Sequence, residues 1–408
     1  MLRMEEAQKK NTELIKAANE ALVVDAIRRF KTVKIGEIIN LTGLSRQTVL
    51  TIIADLQEKK VVEKAGHARS TVGRQPILYS LTKDSYYVIG IDVDVPPVYM
   101  AISSLDGTPL YTDSWKLERD VTAGELVFSL ISKIEKVLHE MHIAPSKVLG
   151  LGLGLPAVVN TRRNLAEKIS RIKGWNKIDA AGMIEEHFGF QVYVRNDSHL
   201  LSRMEITPER QNFLYILHRS GIGMAPIING QVYEGLLGNS GYIGHVRIAS
   251  NGRLCNCGSQ DCLELYCSKR AIEDDYCLKT GNFLPYDVIL NNAQNSDFAA
   301  YDVLRTAGKY FGIGVANAIK MYDISTVILG DLRCTEDNVF FKSIKESALE
   351  NLKNFYLDTV DIEISSFGTD QYGLGGCLFV LEHFFEEPKL QTSINDDSVT
   401  KNGGYWFG

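Results

Sequence analysis

Gly241-Tyr242-Ile243-Gly244-His245, followed by Cys255-Asn256-Cys257-Gly258-Ser259-Gln260-Asp261-Cys262-Leu263-Glu264, puts one histidine and three cysteines within 18 residues. Zinc takes thiolate sulfur and imidazole nitrogen in closed four-coordinate structural sites, and His-x9-Cys-x-Cys-x4-Cys supplies the whole set. His245, Cys255, Cys257 and Cys262 are therefore candidate ligands of a structural zinc, and Glu264 sets a carboxylate two positions after the last thiol. Buried free thiols are the ordinary alternative in cytosolic proteins, but three cysteines packed this tightly beside Gly258 and a histidine make it the weaker reading. A disulfide is weaker still. The chain has seven cysteines, and Cys267, Cys277, Cys334 and Cys377 are scattered without partners in sequence, which fits a reducing compartment.

With 408 residues the chain exceeds what one hydrophobic core usually serves, and 45% hydrophobic with 23% charged residues is ordinary for a soluble globular protein. No segment reads as membrane-spanning. Met1 to Lys10 is charged and lacks the apolar run of a signal peptide, so a cytoplasmic location is expected. The net charge of −6 hides an asymmetry: residues 1–84 carry +5 and the remainder −11. Only the N-terminal part suits a polyanion, although +5 alone is also compatible with chance variation in surface charge.

From Asn11 to Phe30 the residues Leu14, Ile15, Ala18, Leu22, Val23, Ala26 and Ile27 recur at helical spacing. A second helix is expected over Lys34–Thr42, a turn at Gly43-Leu44, and a third helix capped by Ser45 that buries Val49, Ile52, Ile53 and Leu56. This is a helix-turn-helix pattern, in which Ser45, Arg46, Gln47, Thr48 and Thr51 would face the major groove. Arginine and glutamine suit bidentate reading of guanine and adenine. The competing reading is a helical protein-interaction module. DNA is favoured because two short strands follow, Val61–Lys64 and Ile77–Leu81, joined by a segment that carries Arg69 and Arg74. Such a wing could send an arginine to the minor groove or touch phosphate only.

After Lys83 strands alternate with helices. Tyr86–Asp92 is a continuous apolar run ending in a carboxylate, Val98–Ile102 follows, and Asp106-Gly107 makes a turn. Phe213–Leu217, Ser220–Gly223, Met224–Ile228 and Asn229-Gly230 repeat that order, as expected of two related halves about a cleft. Between them Val127, Leu130, Ile131, Ile134, Val137, Leu138 and Met141 mark one face of a long helix. The strand Val148–Leu155 alternates leucine with Gly150, Gly152 and Gly154, leaving one face bare for a ligand or for close helix packing. Asn196-Asp197 at a strand end can read hydroxyls, although such pairs are also common in turns. Helices are expected over Tyr301–Tyr322 and from Gly373–Cys377 onward, and residues 386–408 read as a mostly disordered tail ending in Tyr405-Trp406-Phe407.

Gly-x-x-Gly-His followed by Cys-x-Cys-Gly-x-x-x-Cys-x-Glu resembles the ROK proteins (repressors, open reading frames and sugar kinases), and the resemblance runs from the helix-turn-helix to about Phe385. It implies an α/β fold: an actin-like, ribonuclease-H-like duplicated core, here with an N-terminal winged helix-turn-helix. The implied domains are 1–84 for DNA binding and 85–385 for a two-lobed sugar sensor. It further implies that His245, Cys255, Cys257 and Cys262 hold zinc, with the second histidine nitrogen facing a sugar. Asn196, Asp197 and Glu264 would bond sugar hydroxyls, and in the family's kinases the residue matching Asp197 is the general base. Homodimers or homotetramers are implied too.

Several positions depart from the family pattern. Where its kinases carry Asp-x-Gly-Gly-Thr, this chain reads Asp92-Val93-Asp94-Val95-Pro96, which lacks the backbone cradle for phosphate and adds an anion. Ser220–Gly223 keeps only half of the phosphate apparatus. The usual glutamate of Gly-Glu-Ile-Gly-His is Tyr242, placing a phenol at the sugar site and pointing to an effector other than plain glucose or N-acetylglucosamine; the last glycine of the cysteine motif is Asp261. The expectation is a non-enzymatic regulator, most simply a repressor of sugar-metabolism genes, that binds a double-stranded operator and responds to a sugar or sugar phosphate. The alternatives are an active ATP-dependent sugar kinase with an attached DNA-binding domain, and a regulator that answers to a protein partner.

Overall fold

The structure is a computed structural model that describes residues 2–68, 75–83, 85–94, 97–118, 121–169, 172–250, 252–354 and 360–386. Arg69, Arg74, Val95, Pro96 and the segment 387–408 with its aromatic end lie outside these residues.

The N-terminal unit comprises α1 (Leu2–Phe30), β1 (Val33–Lys34), α2 (Ile35–Thr42), α3 (Arg46–Glu58), β2 (Val62–His67) and β3 (Ile77–Leu81). Its sheet has the order β1-β3-β2, so the wing gains a short third strand whose Lys34 was expected to begin the second helix. Gly43, in the left-handed region at φ 70°, closes α2 through its N–H to the Ile39 carbonyl. Ser45 caps α3 by accepting from the Thr48 N–H, and Val49, Ile52, Ile53 and Leu56 are buried as their spacing requires. The first helix starts nine residues earlier than Asn11. Its buried stripe is Ala21, Val23, Val24, Ala26 and Ile27; Ile15 and Leu22, expected on that stripe, face solvent.

Lobe 1 follows as β4 (Tyr87–Val93), β5 (Val98–Ser104), β6 (Pro109–Trp115), α4 (Ala123–Glu140), β7 (Val148–Leu155), β8 (Val158–Asn160), β9 (Leu165–Lys168), α5 (Ala180–Phe188), β10 (Val192–Asn196) and α6 (Asp197–Leu201). Lobe 2 contains β11 (Phe213–His218), β12 (Ile222–Ile228), β13 (Gln231–Val232), α7 (Glu264–Cys267), α8 (Lys269–Thr280), α9 (Tyr286–Gln294), α10 (Phe298–Tyr322), β14 (Thr326–Gly330), α11 (Val339–Leu352) and β15 (Asp361–Ile364). The last helix, α12 (Leu374–Glu386), returns to lobe 1.

The duplication is plain in the strand order. Lobe 1 runs β6-β5-β4-β7-β10 and lobe 2 runs β13-β12-β11-β14-β15: each begins with an antiparallel meander whose first strand is central, then adds two parallel strands on the other side. Parallel neighbours need crossover helices, and these cover one face of each sheet: α4 and α5 in lobe 1, and α10 and α11 among others in lobe 2. The long helix α4 is capped by Thr122 and Glu125, each bonding the other's backbone N–H, and buries Leu126, Val127, Leu130, Ile134, Val137 and Leu138. In lobe 2 Asn229-Gly230 turns β12 into β13 with both residues at positive φ, the twist a tight hairpin needs.

The bare face of β7 packs against helix α12. A methyl group added at Gly152 would stand 2.8 Å from the Gly376 Cα, and one at Gly376 would stand 2.7 Å from the Gly90 Cα. Backbone therefore lies on backbone there. Helix α12 also brings Cys377, Phe379, Val380, Leu381 and Phe385 into one apolar cluster with Val23, Ile27, Ile53, Leu56, Tyr79 and Leu81 of the winged helix and Val88, Ala101 and Leu105 of lobe 1. The Arg28 guanidinium of α1 covers the Phe385 ring at 5.3 Å.

Candidate metal centre, cleft and DNA-facing helix

The metal candidates lie between β12 and α7. Gly241 and Gly244 let this segment run hard against β12, where side chains would meet the Met224 and Ile222 carbonyls. The loop then doubles back through Ile248 N–H to Asp261 O (2.9 Å), Cys255 N–H to Ser259 O (2.9 Å) and Leu263 N–H to Val246 O (2.9 Å). These turns gather His245, Cys255, Cys257 and Cys262 so that their ligand atoms all lie within 4.8 Å of one another.

The set can hold a metal ion. Cys257 and Cys262 Sγ are 3.7 Å apart, and Cys255 Sγ is 3.6 Å from His245 Nδ1. A tetrahedron with metal–sulfur bonds of about 2.3 Å has edges of about 3.7 Å, so these two pairs of donors stand at tetrahedral spacing. The histidine's Nδ1 is the nitrogen on the cluster, leaving Nε2 on the other side of the ring. Asp261 keeps the turn that a glycine would make, at φ 58°, and is fully buried. Its carboxylate accepts from the Gly252 and Arg253 N–H groups (3.0 Å each) and from the Tyr266 hydroxyl, so it stitches the loop shut.

Asn196 and Asp197 sit at the junction of β10 and α6. Asn196 caps α6 by accepting from the Ser198 N–H, and its amide donates to the Ala157 carbonyl at 3.3 Å. The Tyr242 hydroxyl donates to Asn239 Oδ1 at 2.9 Å and lies 3.5 Å from the same Ala157 carbonyl; Asn239 Oδ1 also accepts from the Val159 N–H. The phenol therefore ties the metal loop to lobe 1, and burial pushes its pKa up. Tyr242 and His245 rings are 6.3 Å apart. Asn196, Tyr242 and His245 thus form one connected rim. Glu264 is half-buried at the first turn of α7, and among the described residues no hydrogen bond joins its side chain to that rim. A cavity of about 170 Å³ beside this loop is lined by Tyr242, Met224, Leu263, Gly314 and Met321 but by none of the other expected sugar residues.

At the floor of the cleft is a residue that the sequence reading passed over. Arg219, directly after β11 and with a side chain only 4% exposed, places its guanidinium among four carboxylates from both lobes. Nη2 and Nη1 contact Asp92 at 2.6 and 3.3 Å, Nη1 contacts Asp197 at 3.4 Å, and Nε contacts Asp331 at 3.2 Å and Asp94 at 3.6 Å. Tyr372 lies under the guanidinium at 5.1 Å. Burial raises Asp92 to about 7 in spite of the arginine, and the charges of Asp197 and Asp94 add to the rise. Asp331 goes the other way: burial would raise it, but Lys269, Arg219 and Arg333 together bring it down to about 2. Asp94, the added anion expected to repel nucleotide phosphates, lies 3.6 Å from Arg219 Nε.

His218, the last residue of β11, is wholly buried against Phe311, Phe340 and Tyr286, with Nε2 2.8 Å from the Cys267 carbonyl. Burial first, and Lys269 second, lower its pKa to about 3. The unfolded chain takes up this proton near pH 6.5 while the folded one does not, so the stabilisation is complete above 6.5 and is lost as pH falls toward 3. The stability difference between wild type and His218→Gln should shrink by about 2 kcal/mol from pH 7.5 to pH 5 in urea titrations, and a constant difference would refute the assignment.

On α3, Arg46 and Gln47 are exposed, as reading a groove requires. Ser45 and Thr48 bond each other through their hydroxyls at 2.8 Å, and the Thr51 hydroxyl donates to the Gln47 carbonyl at 3.0 Å. Those three hydroxyls shape the helix start, which leaves Arg46 and Gln47 as the long polar side chains at its tip.

A fold of two repeated lobes with a metal-type loop between them and a winged helix docked on the first defines a class. The ROK family model matches residues 88–383, and the chain belongs to that family. It is 26% identical to the xylose repressor of Bacillus subtilis over 383 residues, which cover 91% of this chain and 97% of that protein. It is 23% identical to the transcriptional dual regulator NagC of Escherichia coli, covering 83% and 86%. Among solved structures, a ROK family transcriptional regulator homologous to E. coli MLC superposes with a TM-score of 0.79 at 19% identity, covering 94% of this chain and all of the other. A ROK glucokinase from Streptomyces griseus, solved with glucose and AMPPNP, gives 0.64 at 21% identity over 73% of this chain and 99% of that one. No helix among the described residues is long and apolar enough to cross a membrane.

Proposed function

We propose that this protein is a sugar-responsive transcriptional repressor that binds duplex operator DNA through residues 1–84 and a sugar through residues 85–385, as a homodimer or homotetramer in the cytoplasm. The observation that carries this reading is the joining, through α12, of a winged helix to a two-lobed cleft whose floor is filled by Arg219. One relative similar along nearly its whole length is named a repressor and another a DNA-binding transcriptional dual regulator, which supports the same reading. Zinc is the metal we assign to His245, Cys255, Cys257 and Cys262, because a thiolate-rich tetrahedral set is what that ion takes in structural sites. When bound it would fix the loop that carries Tyr242 and His245. Asn196, Asp197, Tyr242, His245 and Glu264 are the sugar ligands of this proposal, and Arg46 and Gln47 lead the DNA contacts, with Ser45, Thr48, Thr51, Arg69 and Arg74 as phosphate or supporting contacts. Phosphoryl transfer is not expected, since Asp197 is paired with Arg219 where a general base would have to be free to take a proton.

A repressor works if the sugar prefers a lobe arrangement that DNA binding disfavours. The test selects DNA from a random duplex library with the zinc-loaded protein, then titrates the selected duplex with and without xylose, glucose, N-acetylglucosamine and their phosphates. One of these should weaken binding at least tenfold; unchanged affinity with all of them would remove the sugar from the reading. Arg46→Ala and Gln47→Ala should each lose about 1–3 kcal/mol of discrimination between selected and scrambled duplexes, and undiminished discrimination would displace them as base readers.

A further inference from the structure

We propose that Arg219 is a specificity-determining residue: a built-in cation that fills the floor of the cleft and makes the site take an uncharged, hydroxyl-rich sugar while refusing its phosphate ester and nucleotides. This rests on the sugar reading above and names the ligand class for it. The central strands of the two sheets, β4 and β11, bring their C-terminal ends to this point, so a charged group entering between the lobes meets the side chains there. Those side chains are Asp92 at the end of β4 and Asp94 just after it from one lobe, and Arg219 directly after β11 from the other, with Asp197 beside them.

The charges decide what can enter. Four carboxylates, Asp92, Asp94, Asp197 and Asp331, face three cations, Arg219, Lys269 and Arg333. Arg219 directs donors at all four acids, Lys269 contacts Asp331 at 3.0 Å, and Arg333 is shared between Asp331 and Asp287. The three cations are thus committed to carboxylates, and with Asp287 counted five carboxylates face three cations, a surplus of acceptors that remains when Asp92 is protonated. A phosphate dianion offers only acceptors at neutral pH, so it would confront acceptor oxygens and could gain a donor only by breaking these pairs. A sugar hydroxyl donates as well as accepts, and Asp197 and Asn196 at the same strand end supply matching oxygens and an amide. The guanidinium is also planar and held over Tyr372, a geometry that lysine cannot reproduce.

Calorimetry on the zinc-loaded full chain separates the outcomes. Each of xylose, glucose and N-acetylglucosamine is titrated beside its own phosphate ester and beside magnesium ATP. The expected result is binding of at least one neutral sugar, its ester at least 100-fold weaker, and no heat with ATP. An ester within tenfold of its sugar, or binding of ATP, overturns the proposal while leaving the sugar reading intact. Silence from every sugar and ester fails the sugar reading and takes the selectivity with it. The cation role is read separately by thermal unfolding of Arg219→Met with magnesium or manganese. Removal of the resident cation should let a divalent ion raise the midpoint of the variant, with no such rise in wild type; equal responses would overturn that role. If Arg219→Met does not fold, Arg219→Lys in the same calorimetry should bind the sugar about tenfold more weakly and still refuse the ester. Acceptance of the ester by wild-type and lysine proteins alike would refute selection at this residue.

Discussion

Gly152→Ala is expected to destabilise the protein by about 3 kcal/mol, the upper part of the range for overpacking a core, because the obstacle is backbone and has no rotamer to change. The new methyl would meet the Gly376 Cα at 2.8 Å and the carbonyl carbon at 2.9 Å, and the turn of α12 that carries them is pinned by Gly90 on the neighbouring strand. Gly376→Ala strikes the same contact from the other side, so the double variant should cost less than the sum of the singles once α12 has been pushed off the sheet. Gly124→Ala is the control. It lies in the first turn of α4 with nothing within 4 Å of the added methyl, and alanine there should be neutral or stabilising by up to about 1 kcal/mol. Urea midpoints of the four proteins decide the matter, and equal effects at Gly152 and Gly124 would refute the close contact.

Loss of the metal centre should have the second large effect. Cys262→Ser is expected to abolish stoichiometric zinc and to lower stability by about 3 kcal/mol, the order seen when a site that closes a loop is lost from a folded domain. The tip of the loop depends on the ion most, because Cys257, Gly258, Ser259 and Gln260 are exposed and only Cys255 and Cys262 reach inward among the candidate ligands, while Asp261 and its backbone donors hold the base of the loop. Metal content by mass spectrometry and amide exchange across 245–263 check this together. Full protection in the metal-free variant would show that Asp261 and its backbone donors suffice without the ion.

The helix-turn-helix and the metal loop were legible because their determinants are local. Ser45, Gly43 and the Val49–Leu56 spacing act within a few residues, and the four candidate metal ligands fall in one short stretch. Register within each lobe was partly legible, since Tyr87–Val93 and Phe213–His218 are apolar runs and the strands after them end in turns marked by Asp106-Gly107 and Asn229-Gly230. Arg219 was not legible. Its partners stand 127, 22 and 112 residues away at Asp92, Asp197 and Asp331, and nothing in a window around it indicates that three strand ends converge on it. An arginine directly after a fully buried strand was the one available signal. The glycines of β7 allowed either a ligand or a helix to approach, and only the return of α12 from the far end of the chain decides between them. On α1, seven positions with helical spacing defined the stripe, but which edge of it turned inward depended on α12 and the wing.

One apolar cluster serves the winged helix, α12 and the outer face of lobe 1, and the Arg203 guanidinium of the segment after α6 grips Glu382 on α12 at 2.9 Å while lying over Phe379. Among the described residues the reading head is packed directly onto the lobe whose edge carries Asn196 and Asp197. In a two-fold assembly the separation of two such heads is then a gauge of how the first lobes are tilted. Duplex DNA, with successive major grooves about 34 Å apart, checks that gauge with a tolerance of a fraction of a turn.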